Sequence, residues 1–501
     1  MRLVETEVRR LSRRGFLGVS GSAAALALLG PSRALGSVDD GPFGELASDP
    51  GGMLDLPRGF QYRVLSPEGA TLRNKTTSGI PVPGDFDGMA AFAGPGNTTV
   101  LVRNHEVQTG DGPPVVGVNP YDATDWGGTT AVVVGPNRKE LDAYVANAGT
   151  RTNCAGGGTP WGTWITCEET LTVSGAQHGY CFEVMWDDPE NDLSKTPITA
   201  MGLFSHESID VDPRTGVVYL TEDSFAGSIP ADPNTEVDSN PAFRSSFLFR
   251  YLPNDRSQRP GALLNGGTLQ ALAIDGVTRN ADLYNPGQSF AVRWVTVEPA
   301  IAHADALAKG AVRFTRLEGS HFAGGAFWFD DTQGGEARRG QIYRLIPGPE
   351  NVIGADRLEL VFESTSANTL DLPDNLIVTP WGDLWLAEDG GGENRIVGLT
   401  PEGQTYVFGL NRLPGSNEFA GPTFSPDGQT FFVNVQDPGV TFAIWGPFAR
   451  QNRQRQLQLA HAAPRTEYSP KISGELAEAA DRYGLTRLEA AAYDRLGVPL
   501  V

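Results

Sequence analysis

The chain has 501 residues with 61 glycines and 36 prolines, 20% charged side chains and a formal net charge of -21 at pH 7. That acidity excludes ordinary binding of phosphate backbones, so nucleic acid is not expected as a partner. The aromatic and β-branched content suffices for a packed core and excludes a disordered chain, while glycine and proline favour turns.

Residues 1–36 have the layout of a twin-arginine signal. Ser12-Arg13-Arg14-Gly15-Phe16-Leu17 precedes an alanine-rich apolar stretch reaching Leu29, and Ser32, Ala34 and Gly36 supply the small residues of a cleavage zone. The apolar run is too short for a comfortable bilayer span, so no stable membrane span is expected. The layout predicts the twin-arginine export machinery as a partner and a periplasmic or secreted location. Export in the folded state fits a protein that carries an inserted cofactor.

From residue 37 to residue 450, short runs such as TTVLVRN, TTAVVVG, TWITCEE, GYCFEVM, GVVYLTED, AFWFDD, DLWLAED and TFFVNVQ alternate apolar and polar residues between Gly, Pro, Asn and Asp. Such runs read as antiparallel strands. Turn segments stand in register with them: TPWGT from Thr159, DPRTG from Asp212, TPWGD from Thr379 and SPDG from Ser425. Asp212 and Asp427 are expected to serve those turns. The repeated outline is a strand, a Pro/Gly turn, a second strand ending in acid and a third strand, with units of roughly 40 to 55 residues. This predicts an all-β fold, a six-bladed β-propeller. Two stacked sheets are the alternative, but they leave the acids at one strand end unexplained.

Residues 451–501 differ. Gln451 to Gln458 form a polar linker, and ELAEAADRY and TRLEAAAYDRL, split by Gly484, read as short C-terminal helices. Thr486 with Glu489 makes a capping box, and Gly497 with Pro499 makes a stop.

The strand-end acids carry the functional signal. Asn104-His105-Glu106, Cys167-Glu168-Glu169, Glu222-Asp223-Ser224, Asp330-Asp331 and Glu388-Asp389-Gly390 each close a strand that follows a turn. Carboxylates brought to one channel mouth raise one another's pKa unless cations separate them. Ser205-His206-Glu207 opens the unit that Glu222-Asp223 closes, so Glu207 and Glu222 are expected to face each other across a hairpin. Glu318, Asp374-Asn375 and Glu388-Asp389 add oxygen donors. Oxygen ligands suit calcium or magnesium, whereas a thiolate such as Cys154, set among glycines and close to two tryptophans, calls for a transition metal. The sequence has three cysteines, Cys154, Cys167 and Cys181, and an odd count leaves at least one without an intramolecular partner. Cys167 has two possible partners, Cys154 and Cys181. His206 reads equally well as a structural imidazole or a ligand. No Gly-x-Ser-x-Gly is present, no motif places a Ser-His-Asp triad, and Gly390-Gly391-Gly392 reads as a turn.

These segments resemble the PhoX-type alkaline phosphatase family. The resemblance is carried by RNHE at Arg103 to Glu106, GGTT at Gly127 to Thr130, NCAGG with TPWGTWITCEE, and HESIDVDPRTGVVYLTED. Glu318-Gly319, PDNL at Pro373 to Leu376, LAEDG at Leu386 to Gly390 and EFAGPTFSPDGQTFFVNVQDPG at Glu418 to Gly439 extend it. It implies a six-bladed propeller that holds ferric iron (Fe3+) and calcium (Ca2+) with an oxo bridge and hydrolyses small phosphorylated substrates, the phosphate monoesters. On matching positions it implies Cys154 as the iron thiolate. It further implies Glu106, Glu168, Glu207, Glu222, Asp223, Glu318, Asp374, Asn375 and Glu388 as the carboxylate and amide shell. A metal-activated oxygen would then replace a protein nucleophile. The sequence departs from the family at Gln436-Asp437, where a His often follows the Gln. Arg103 and Arg395 are the candidates for gripping phosphate. A calcium-dependent lactonase-like hydrolase and a non-catalytic, calcium-stabilised binding propeller are the competing readings.

Overall fold

The structure, a computed structural model, describes residues 38–39, 41–72, 79–110, 112–224, 245–279, 286–350, 354–415 and 418–448. All of these belong to the larger of two units, residues 1–452, and the second unit spans residues 453–501. The expected signal segment and the expected C-terminal helices lie outside the described residues.

Alternating patterns dictate strands, and the strands form six sheets, the blades of a β-propeller. The innermost strands, in chain order, are Phe86–Ala93, Asn153–Gly158, His206–Val211, Leu317–Ala323, Pro373–Val378 and Phe419–Phe424. Each pairs antiparallel with the strand that follows it in sequence. Each also touches the inner strand of the next blade, and the sixth touches the first, so the ring is closed. The amino-terminal part of the described chain completes two blades. Gln61–Leu65 pairs with Val440–Trp445 in the sixth blade, and Leu54–Pro57 pairs with Thr405–Asn411 in the fifth. Radial repetition of this kind leaves few exposed strand edges.

The apolar faces of adjacent blades pack together into six clusters, one for each interface. Ile165, Phe204, Ile209 and Phe249 lie between the second and third blades, and Trp385, Phe408, Phe431 and Phe442 lie between the fifth and sixth. Leu101, Val132 and Phe432 join the sixth to the first. This placement follows from the period of two in strands: one face of each sheet meets the preceding blade and the other meets the next. An α-helix, Ala302–Ala308, sits in the chain between the third and fourth blades and buries Ala302, His303 and Ala306. Among the described residues, no helix is long and apolar enough to cross a membrane.

Candidate metal centre

The register of the inner hairpins slips near the same end in every blade, directly after the first pair in five blades and one pair further along in the sixth. In the first blade Asp87 and Gly88 oppose the single residue Asn104, because Phe86 pairs with His105 and Met89 with Arg103. Cys154 and Ala155 oppose Cys167 in the second blade, and Glu207 and Ser208 oppose Thr221 in the third. Glu318 and Gly319 oppose Asp330 in the fourth, and Asp374 is the extra residue in the fifth. Gly421 and Pro422 take the place in the sixth. A β-bulge bends the strand and re-aims a side chain. Here five of the six bulges carry a side chain of metal-ligating type: Asp87, Cys154, Glu207, Glu318 and Asp374.

The residue after Asp87 and after Glu318 is glycine, because the next blade's backbone lies against it. A Cβ on Gly88 would lie 2.5 Å from Ala155 Cα, and one on Gly319 would lie 2.4 Å from the Asp374 carbonyl oxygen. Side chains then tie the bulges from blade to blade. Asn104 Nδ2 donates to the carbonyl oxygens of Cys154 (3.0 Å) and Ala155 (2.7 Å), while its Oδ1 accepts from Trp164 Nε1 and Thr166 Oγ1. Thr221 Oγ1 donates to the Glu318 carbonyl oxygen at 2.6 Å. These bonds use the amide of Asn104 completely and fix the backbone that presents Cys154.

A second tier comes from the residue that follows the last residue of each second strand. The last residues are His105, Glu168, Glu222, Asp331, Glu388 and Val435. The followers are Glu106, Glu169, Asp223, Thr332, Asp389 and Gln436.

The two tiers converge. Ligand atoms of Asp87, Glu106 and Cys154 lie within 4.8 Å of one another, as do those of Cys154, Glu169 and Glu207, so the two trios share the thiol. Cys154 Sγ is 3.4 Å from Asp87 Oδ2. Gln436 Nε2 donates to Glu106 Oε2 at 2.8 Å and to Asp87 Oδ2 at 3.2 Å. Asn375 turns its amide nitrogen to Asp374 Oδ1 and takes the Gly421 N–H on its oxygen, so it braces the carboxylate. Thr332 Oγ1 donates to Glu318 Oε2. Among the described residues, the cation that reaches the group is Arg316. Its Nε and one terminal nitrogen donate to Asp223 Oδ2 at 3.0 and 2.7 Å, and it pairs with Glu318.

Burial pushes the Asp87 carboxyl up to about 6, and nearby Asp389 adds to this. Burial also raises Glu106, Glu169, Glu207, Glu318 and Asp374 well above the usual carboxylate range. Neighbouring carboxylates add to it in each case: Asp87 at Glu106, Asp223 at Glu169, Glu169 at Glu207, and Asp374 at Glu318. Asp87 likewise raises Asp374. Burial disfavours charge on Arg316, but Glu318 and Asp223 outweigh it and hold the guanidinium protonated. Burial, then Asp87 and Glu207, raise the Cys154 thiol. Glu169 Oε1, Glu207 Oε1 and Asp223 Oδ1 are buried without a hydrogen-bond partner. A buried acceptor left unpaired is costly. The donor set is therefore a fit for cations: hard oxygens with one soft sulfur, and too little positive charge of its own.

The model of the family described as alkaline phosphatase PhoX matches residues 41–439. The chain belongs to the PhoX alkaline phosphatase family. Among solved structures it resembles Pseudomonas fluorescens PhoX in complex with vanadate, a transition state analogue. That likeness has a TM-score of 0.57 at 18% identity and covers 84% of this chain and 98% of the other, which supports the propeller fold. A gluconolactonase from Xanthomonas campestris matches with a TM-score of 0.40 at 14% identity, over 83% of this chain and 95% of that one. Virginiamycin B lyase from Staphylococcus aureus gives 0.33 at 12%, over 77% and 99%. No curated protein matches the sequence.

Within this PhoX-family chain the residues expected from sequence separate into two sets. Glu106, Cys154, Glu207, Asp223, Glu318, Asp374 and Asn375 come together as described. Glu168, Glu222 and Glu388 turn into the blades instead. Glu168 accepts from the backbone N–H groups of Arg151, Gly179 and Tyr180 and contacts His178 Nδ1 at 2.6 Å. Glu222 accepts from Phe247 N–H and contacts His303 Nδ1, so it does not face Glu207. Glu388 accepts from Asp371 and Arg395 N–H and from the Arg395 guanidinium. The physical reason is the period of two: successive strand residues point to opposite faces, so one residue's difference reverses direction.

The two candidate phosphate grips are likewise engaged elsewhere. Arg103 is wholly buried, with its guanidinium carbon 3.5 Å from the Phe86 ring centroid and a 2.7 Å bond to Thr441 Oγ1. Arg395 is held by Glu388 and by the carbonyl oxygens of Ala367 and Asn368. His206 takes the structural role, with Nε2 on the Gly202 carbonyl oxygen and Nδ1 beside Cys181 Sγ.

Asp389, expected as an oxygen donor, also joins the centre, and so do Asp87, Glu169, Arg316 and Gln436, which the sequence did not mark as ligands or phosphate grips. A signal for Asp87 exists, because Asp87-Gly88 repeats the acid-then-small pattern of Glu207-Ser208 and Glu318-Gly319. A separate buried group, Asp122, Asp125 and His178, is internally balanced. His178 lies between Glu168 and Asp125, and Arg151 pairs with Asp125. Burial opposes protonation of His178, but the bond it donates to Glu168 and the charges of Glu168 and Asp125 prevail and raise its pKa.

Proposed function

We propose that the protein is an exported, metal-dependent phosphatase that hydrolyses phosphate monoesters at an iron and calcium centre in the propeller channel. The observation that carries this reading is the ring of bulge-borne ligands around Cys154, with buried carboxylate oxygens left unpaired and Arg316 beside them. Asp87, Glu106, Cys154, Glu169 and Glu207 would hold the iron, since they gather about the thiolate. Asp223, Glu318, Asp374 and Asp389, with Asn375 as a brace, would hold calcium through oxygen. Bound metals supply charge neutralisation for a phosphoryl group and activation of the attacking oxygen.

The protein's own residues contribute position and charge. Asp223 and Glu318 fix Arg316 from two sides, and its side chain keeps 21% exposure, so the guanidinium stays within reach of a phosphoryl oxygen arriving from solvent. A planar, permanently charged fork suits a tetrahedral phosphate better than an ammonium does. Gln436 holds Glu106 and Asp87 together by donating to both. Asn104 fixes the Cys154 bulge, so the thiol is presented at a set position.

Full-length protein produced in a host that exports it is expected to contain iron and calcium by elemental analysis, to release phosphate from p-nitrophenyl phosphate at alkaline pH, and to lose that activity to a chelator. Metal-replete protein that releases phosphate from no monoester would overturn the reading. Turnover of lactones with calcium alone would replace it.

A further inference from the structure

The two cysteines outside the metal centre face each other. Cys167 lies in Trp164–Glu168 and Cys181 opens Cys181–Val184, and the antiparallel register sets them directly opposite. One position on, Glu168 N–H donates to the Tyr180 carbonyl oxygen, which is a hydrogen-bonded pair; the Cys181 carbonyl oxygen is taken instead by Ile198 N–H. Cys167 and Cys181 therefore occupy a non-hydrogen-bonded position. There opposed Cα atoms approach to about 4.5 Å and side chains come closest, within the Cα span of about 4.4–6.8 Å that a disulfide bridges. The sulfur atoms are 3.6 Å apart, and both side chains are wholly buried between the second and third blades. The remaining thiol, Cys154, points at Asp87.

We propose that Cys167 and Cys181 form a cross-strand disulfide when the protein is held in an oxidising compartment, and that Cys154 stays a free thiol. The bond forms by exchange with a small-molecule or protein disulfide. One cysteine attacks it as thiolate and releases one thiol; the other then attacks the mixed disulfide and releases the second. Two S–H bonds are lost from the pair and two are gained by the oxidant, which takes both electrons. Burial makes this exchange wait for opening of the blade, and it shields the finished bond from reductant in the same way.

The position gives the bond a purpose. Among the described residues this blade is the only three-stranded sheet of the six, and the bond joins its second strand to its third where Glu169 leaves the sheet. Cys181 Sγ also lies 3.3 Å from Nδ1 of His206, the residue before Glu207. The disulfide would thus stiffen the strand end that presents Glu169, against the strand that presents Glu207.

The test counts thiols in denatured wild-type protein, once as isolated from an export compartment and once after equilibration in a glutathione redox buffer. One alkylated cysteine of the three is expected, rising to three after reduction. All three lie in one tryptic peptide, so chymotrypsin at Trp161 and Trp164 with glutamyl endopeptidase at Glu169 separates them. The expected cross-linked pair joins the fragment of Cys167 to that of Cys181. An oxidised protein is further expected to unfold roughly 2–5 °C higher than a reduced one. Three free thiols under both oxidising conditions, or a cross-link that includes Cys154, would overturn the proposal. Neither result depends on metal content or on any catalytic activity.

Discussion

Neighbouring acids at the strand ends do opposite work. Glu168, Glu222 and Glu388 each accept backbone N–H groups, one to three of them, from segments beside the strand end, so they fasten the blade. Glu169, Asp223 and Asp389 follow them by one residue and turn to the metal centre, where carboxylates crowd and oxygens stay unpaired. The two kinds share a strand end and differ in direction. In each of these three pairs one acid fastens the blade and the next turns to the carboxylate cluster, and the order is fixed by the pleat.

The largest effect that tests this contrast separates Glu169 from Glu168. Glu169→Gln is expected to lower bound metal and to reduce phosphate release by at least ~10²-fold, while the unfolding midpoint of the metal-free protein is unchanged or rises. Glu168→Gln replaces one of the two oxygens that accept three backbone N–H groups with an NH2 that sets donor against donor, and it is expected to cost about 3 kcal/mol of stability with metal retained. Elemental analysis and urea unfolding of both variants decide it, and an exchange of the two phenotypes would reverse the assignment.

Arg316 comes next. Arg316→Lys keeps the charge between Asp223 and Glu318 but loses the planar fork, and kcat is expected to fall roughly 10–100-fold with metal content intact. An unchanged kcat with p-nitrophenyl phosphate would remove Arg316 from the phosphoryl site and leave the fastener–ligand contrast standing.

Much of this was legible in the sequence. The strand runs, the Pro/Gly turns and the six-fold cadence specify the propeller, because period-two patterns and turn residues act locally. Cys154, Glu207, Glu318 and Asp374 were legible as members of the buried cluster, since each opens a unit. The doublets were not resolved, because neighbours such as Glu168-Glu169 and Glu388-Asp389 differ in which side of the pleat they take, and the bulge on the facing strand is a tertiary feature. Arg316 was hidden for a different reason. It lies outside every acidic motif, in a loop position with φ of 64°, and only the closed ring brings it against Asp223 of the preceding blade.

The contrast also predicts a pH dependence for protein stripped of metal. The ligand carboxylates have folded-state pKa values raised above their unfolded ones, Asp87 to about 6 and Glu106, Glu169 and Glu207 further. Such groups stabilise the fold while protonated, below the unfolded values, and that contribution is lost as pH rises through the folded values. Metal-free protein is therefore expected to lose stability from about pH 5 upward, by about 1.4 kcal/mol per pH unit for each proton retained on folding. Metal-loaded protein should show no such slope over that range. Urea unfolding at about pH 5 and about pH 8, with and without chelator, measures it; equal stability of the stripped protein at both would mean the acids are not crowded in solution.

The smallest effect belongs to the fastener that is nearest to solvent. Glu388 is buried, yet its partner Arg395 keeps 15% side-chain exposure, so water can take over part of the lost bonding. Glu388→Gln keeps one carbonyl oxygen for Asp371 or Arg395 N–H and is expected to cost only about 1–2 kcal/mol. Phosphate release per folded molecule should stay within about twofold, since Asp389 leaves the strand in the opposite direction. A loss of metal in this variant would show that fastening and ligation are coupled through the backbone between the two residues. The separate roles would then be two faces of one rigid strand end, rather than independent side chains.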